Sequence, residues 1–142
     1  MTGPGVVRHL LVAVDGSASS TRALRLAADM AKAFGAELQI VHVGPVRQLP
    51  VLMGEASDPR GDDDAQSILL DAVRIARSQG VEAKVVRRHG RPADQIVRAV
   101  AELRPDLVVM GTRGLSRGRG LLLGSVSRVV VKKSKVQVVL VR

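Results

Sequence analysis

Apolar residues follow two alternating rhythms along this chain: short unbroken runs, and longer stretches that repeat every three to four residues. Arg8 to Val14 (RHLLVAV) is a short β-branched run closed by Asp15-Gly16-Ser17, which predicts a buried strand and a turn. From Ser19 to Phe34, apolar Ala23, Leu26, Ala27, Met30 and Phe34 recur at helical spacing, and Gly35 supplies a stop. Glu37 to Val43 (ELQIVHV) reads as a second strand. Gly44 to Asp64 holds three prolines, three glycines and no periodicity, so a long loop is expected there. Ala65 to Gln79 predicts a helix with Ile68, Ala72, Ile75 and Ala76 inward and Gly80 at its end. Glu82 to Arg88 alternates in part and predicts a third strand, at or near a sheet edge. Pro92 suits a first helical turn, and Ile96, Val97, Val100 and Leu103 give that helix its inner stripe. Asp106 to Met110 predicts strand four, Ser125 to Lys133 a last helix, and Val136 to Val141 strand five.

Strands alternating with helices imply an α/β fold: one doubly wound, parallel sheet with helices on both faces and right-handed crossovers. Ligands in such sheets bind outside the carboxyl ends of the strands, where the winding reverses. Asp15, just past strand one, Val43, at the end of strand two, and Gly111, just past strand four, should meet in one crevice.

Length adds a size limit. A chain of 142 residues makes a single domain, 1–142, that buries roughly two-thirds of its unfolded surface. Phe34 is the sole aromatic residue, so the core is built of Val, Leu, Ile and Ala. Without cysteine there are no disulfides, no thiolate catalysis and no zinc–thiolate sites. Runs such as Leu10 to Val14 are too short to span a bilayer, and Met1 to Val7 carries no signal-like segment. A soluble cytoplasmic protein with no membrane association is expected.

Charge changes the picture more. Residues 1–83 hold 8 Lys/Arg and 10 Asp/Glu, whereas residues 84–142 hold 14 and 3, so the second part carries +11. An anionic ligand explains this economically; nucleic acid competes, though the chain lacks an aromatic stacking platform and any known nucleic-acid motif. The basic part also contains the glycines. Asp106 to Met110 leads into Gly111, Thr112, Arg113 and Gly114, then nine residues, then Gly124-Ser125-Val126-Ser127 at a helix start. Glycine permits φ > 0 and close backbone approach, and a helix start presents N–H groups to phosphate. The pattern is neither G-x-x-x-x-G-K-[ST] nor G-x-G-x-x-G; it is G-x2-G-x9-G-[ST].

With those segments in view, the chain resembles the universal stress proteins over almost its whole length. The resemblance is carried by Leu11-Val12-Ala13-Val14-Asp15-Gly16-Ser17, Val41-His42-Val43, Gly90-Arg91-Pro92, Asp106 to Gly111 and Gly124 to Ser127. It implies a Rossmann-like, adenine nucleotide alpha-hydrolase-like sheet of order 3-2-1-4-5, and the family branch that binds ATP. It also implies a homodimer through the last strand, Val136 to Val141, which would cover an apolar edge, and leaves room for an unidentified protein partner. By the same resemblance Asp15 lies by the adenosine, Ala13 lines the adenine with Val14 also in the binding set, and the Val43 backbone meets the adenine edge. Gly111, Thr112, Arg113 and Gly114 pass the ribose and phosphates, and Gly124, Ser125, Val126 and Ser127 hold phosphates. The family often has proline just before strand five; Ser134-Lys135-Val136-Gln137 stands here instead.

Structural alternatives accompany these roles. Asp15 could brace the Gly16 turn or cap the first helix, and Ser125 could be only an N-cap. Ser17, Ser19 and Ser20 read as caps, His42 as a packed, hydrogen-bonded side chain, and His9 and His89 as incidental. Asp62-Asp63-Asp64 reads as a solvated helix start, and Mg²⁺ would arrive only with the nucleotide. Arg117 and Arg119 would help neutralise the outer phosphates, or stand as exposed arginines. Asp15 is the only obvious acid near the site and falls at the adenosine end, and the glycines of the basic loop argue against preorganisation, so a regulatory binding module is expected rather than a fast ATPase. Binding of cyclic AMP and slow ATP hydrolysis are the alternatives within the same family.

Overall fold

A computed structural model describes residues 6–45, 59–113 and 123–142, with the side chains of 59–63 outside that description. The elements are β1 (His9–Ala13), α1 (Ala18–Phe34), β2 (Glu37–Gly44), α2 (Pro59–Ser78), β3 (Ala83–His89), α3 (Pro92–Leu103), β4 (Leu107–Gly111), α4 (Ser125–Lys133) and β5 (Gln137–Val141). They form one parallel five-stranded sheet of order β3-β2-β1-β4-β5. This is the doubly wound, Rossmann-like topology expected from the alternation, with β3 and β5 at the edges.

Central strands are sealed on both faces. Leu10 and Val12 pack with α1 and α2 residues, while Leu11, between them, packs with Ala99 and Val100 of α3. All three are fully buried, each contributing about 1.5–3 kcal/mol of apolar transfer. In register, Val12 lies beside Ile40 on one side and Val109 on the other. At the opposite end of the sheet from the crevice, Asp106 pins β4 to the start of β1. Its Oδ2 accepts from the backbone N–H groups of Arg8 (2.8 Å) and His9 (2.9 Å), which hold the carboxyl below its ordinary range.

Three expectations are corrected. First, the buried stripe of α1 is Ala23, Leu24, Ala27, Ala28 and Ala31, whereas Leu26 and Phe34 are exposed. Small residues let the helix lie close on β1 and β4, so shape outweighed side-chain hydrophobicity in choosing the face. Second, α2 begins at Pro59, so the expected loop from Gly44 to Asp64 is helical in its last part; residues 46–58 lie outside the described residues. Proline is at home in a first turn, and the polar stretch Pro59–Asp64 carries no apolar period to announce the helix. Third, α2 buries Ala65, Leu69, Ala72 and Ala76, with Ile68 and Ile75 only partly covered. In α3 the buried residues are Ile96, Ala99 and Val100, with Val97 and Leu103 only partly covered, whereas the stop of α1 is as expected: Gly35 is its left-handed C-cap (φ 64°), the N–H donating to Ala31 and Lys32 carbonyls.

Candidate functional site

The site is assembled at the carboxyl end of the sheet, beginning with the turn after β1. Gly16 has φ 84°, a conformation that favours glycine. Asp15 braces it: Oδ1 accepts from the Ser17 N–H at 2.9 Å. Ser17 is the N-cap of α1, its hydroxyl oxygen accepting from the Ser20 N–H at 3.2 Å. Ser20 Oγ accepts from the Asp15 N–H and donates to the Ser17 carbonyl. Ser17, Ser20 and one carboxylate oxygen of Asp15 are thereby turned inward on one another.

β2 supplies His42, buried, with Nδ1 2.8 Å from the Val14 carbonyl. A carbonyl only accepts, so Nδ1 carries the hydrogen and the ring is fixed in one tautomer. This is the packed, hydrogen-bonded histidine that its strand position suggested.

β4 and α4 close the other side. Thr112 donates its N–H to the Val141 carbonyl at 2.8 Å and accepts from the Gly124 N–H, so the ends of the segment between them are tied together. Ser127, also buried, donates its hydroxyl to the Gly111 carbonyl at 2.7 Å. The N-cap of α4 is Gly124, at φ −68°, ψ 164°, and it makes no side-chain cap bond; Ser125 is the first helical residue, not the cap. Because Arg128 makes the first helical bond, to the Gly124 carbonyl, the N–H groups of Ser125, Val126 and Ser127 precede the helical ladder.

Of the two motif glycines among the described residues, neither owes its place to positive φ: Gly111 and Gly124 lie outside the positive-φ set, and any residue can adopt the Gly124 conformation. For Gly111 the reason is packing. A Cβ there would lie 2.3 Å from Ser19 Oγ and 2.9 Å from the Ser19 carbonyl carbon, so glycine lets α1 seat against β4. Ser19 reaches on past it, donating to the Val141 carbonyl at 3.0 Å.

These walls enclose a cavity of about 430 Å³, the size of a small-molecule site. Ala13, Val14, Asp15, Val43, Gly111, Arg113, Gly124, Ser125, Val126 and Ser127 all line it. Thr112 instead belongs to the framework behind it, and Gly114, like Arg117 and Arg119, lies outside the described residues. The structure adds walls that the sequence reading missed: Asp64, Ala65 and Ile68 of α2, Pro92 and Ile96 of α3, and Met110. The signal was topological, since the helices after β2 and β3 must also begin at this end of the sheet. Polarity is divided across the cavity. Asp15 leads toward α1 and Asp64 lies in α2, helices that share one sheet face, whereas the open start of α4 lies with α3 on the other; Arg113 follows β4. No three His, Cys, Asp or Glu side chains among the described residues could hold a metal ion, and no described helix is long and apolar enough to cross a membrane.

Fold and crevice together define a doubly wound α/β architecture with a polar-sided cavity at its switch point. The profile of the universal stress protein family matches residues 7–142, and the chain belongs to that family. It is 36% identical over 144 residues to universal stress protein YxiE of Bacillus subtilis, covering 94% of this chain and 97% of that one. A universal stress protein solved in complex with cAMP superposes with a TM-score of 0.79 at 30% identity, covering 97% and 99% of the two chains. Another, from Archaeoglobus fulgidus in complex with dAMP, gives 0.74 at 28% identity, covering 96% and 99%.

Proposed function

We propose that this protein is an ATP-binding universal stress protein, a regulatory module that holds the nucleotide at the carboxyl ends of β1, β2 and β4. The observation that carries the reading is the start of α4: three N–H groups at the positive end of a helix, beside the cavity, with no side chain at the cap to occupy them. The phosphates bind there, held by Gly124, Ser125, Val126 and Ser127 through main-chain N–H groups, with Arg113 supplying charge. Ser127's hydroxyl stays committed to Gly111, so its contribution is its amide alone. The nucleoside lies across Ala13, Val14 and the Val43 backbone. Asp15 gives one lone pair to the Ser17 N–H and keeps acceptor capacity for a ribose hydroxyl. Mg²⁺, where present, enters with the phosphates.

A second reading, cAMP binding, is favoured by the relative solved in complex with cAMP at 30% identity. Calorimetric titration with ATP, then with cAMP in competition, separates the two. The ATP reading requires saturable ATP binding that a large excess of cAMP displaces only weakly. Long incubation with ATP, followed by phosphate assay, measures any slow turnover. We further propose pairing of two copies through β5, whose half-buried Val138, Val139, Leu140 and Val141 occupy a sheet edge. A molecular mass that stays monomeric at all concentrations would refute it.

A further inference from the structure

Two carboxylates share one side of the cavity, and only Asp15 has a part in the reading above. Asp64 belongs to α2 and is exposed at the cavity wall. One turn further on, Ile68 sits against the Asp15 turn: a Cβ on Gly16 would lie 3.3 Å from Ile68 Cδ1. That contact seats the start of α2 beside Asp15, so both acids border the same region. On the other face of the sheet from α2 stand the amides of α4, and Arg113 lines the cavity just past β4. The pocket is thus negative on one side and positive on the other.

Resting on the ATP reading and not on the cAMP one, we propose that Asp64, together with Asp15, is a specificity-determining residue that rejects nucleotides carrying an anionic group on the ribose. With the 5′ phosphates drawn to α4, the ribose falls toward the acidic side. Its hydroxyls are donors, which carboxylates accept. A 2′ or 3′ phosphate is acceptor-only and doubly charged, so it offers no proton and meets two like charges. The pocket therefore selects nucleotides whose charge lies wholly on the 5′ tail.

The test compares AMP with adenosine 3′,5′-bisphosphate, which differ only in the 3′ phosphate, by calorimetry on the wild type and Asp64→Asn. The wild type should prefer AMP by about tenfold at low salt, the scale expected of like charges near a solvated surface, and the ratio should shrink as salt screens them. Asp64→Asn should reduce that preference to about threefold or less, with its thermal midpoint unchanged because the side chain is exposed. An identical AMP-to-bisphosphate ratio in both proteins overturns the role of Asp64 while leaving the nucleotide site standing. A wild type that takes up neither ATP nor AMP overturns both.

Discussion

Helices α1 and α4 both start at the carboxyl end of the sheet, yet their first turns are finished in opposite ways. At α1, Ser17 closes the cap with its own hydroxyl, Asp15 closes the preceding turn, and Ser20 answers both. At α4, Gly124 leaves the cap without a side chain and, among the described residues, the first amides without a local acceptor. A serine cap is worth about 1 kcal/mol over alanine but only a few tenths over glycine, so α4 gives up little by leaving its cap open. The lesson is that the residue just before a helix decides whether its amides serve the fold or a ligand. α1 is sealed; α4 is open.

The harshest way to break the contrast is to attack the seal from beneath. Gly111→Ala places a methyl within 3 Å of the Ser19 backbone, which cannot rotate aside as a side chain could. We expect a loss of about 2 kcal/mol or more, as for overpacked cores, read as a lower midpoint in urea. Ser19→Gly in the same chain should recover only part, because the backbone clash persists. A Gly111→Ala variant as stable as the wild type would mean that α1 does not bear on β4 as described.

Next, the open start can be closed. Gly124→Asp installs a cap that the existing φ and ψ accept, and adds a negative charge where phosphate is proposed to sit. ATP affinity should fall at least tenfold, about 1.4 kcal/mol, while folding stability is held or slightly raised. Gly124→Asn caps without charge and should cost less affinity. Equal affinity in all three proteins would dissociate α4 from nucleotide binding.

Much of this was legible beforehand, for physical reasons that differ by element. The order of strands and helices could be read because β runs and helical repeats differ in period, and Gly35 and Pro92 mark a real stop and a real start. The face of α1 could not. Leu26 and Phe34 outrank alanine in hydrophobicity, but the sheet beneath required small residues, and only contact with β4 reveals that. The start of α2 was silent because six polar or small residues from Pro59 carry no period. Strand ends predicted one side of the pocket; Ile68 and Ile96 depend on helix rotation about its axis, which sequence periodicity specifies only loosely. The motif glycines were noticed for one reason and placed by another, Gly111 by packing and Gly124 by an empty cap.

Ser17→Ala should sharpen the contrast from the α1 side. It removes the acceptor of the Ser20 N–H and should cost about 1 kcal/mol in stability. ATP affinity should change less than twofold, since these amides serve the fold. A large affinity loss without loss of stability would make α1 a second ligand-binding start.

The smallest effect belongs to Asp106, which seals main-chain amides as Ser17 does, but with a group that titrates. Its carboxylate accepts from the Arg8 and His9 N–H groups, and these bonds lower its pKa in the folded protein. A depressed folded pKa means that the stabilisation is complete above the unfolded value near 3.8 and is lost as pH falls through the folded value. Asp106→Asn keeps one oxygen acceptor but loses the charge. At neutral pH it should cost well under 1 kcal/mol, since the group is exposed and water competes. The gap between variant and wild type, followed by urea midpoints, should hold from about pH 6 down to the unfolded value near 3.8 and close over the range between that value and the lower folded one. A gap that is constant across that range would assign the cost to amide geometry, and would make Asp106 a seal like Ser17 rather than an electrostatic one.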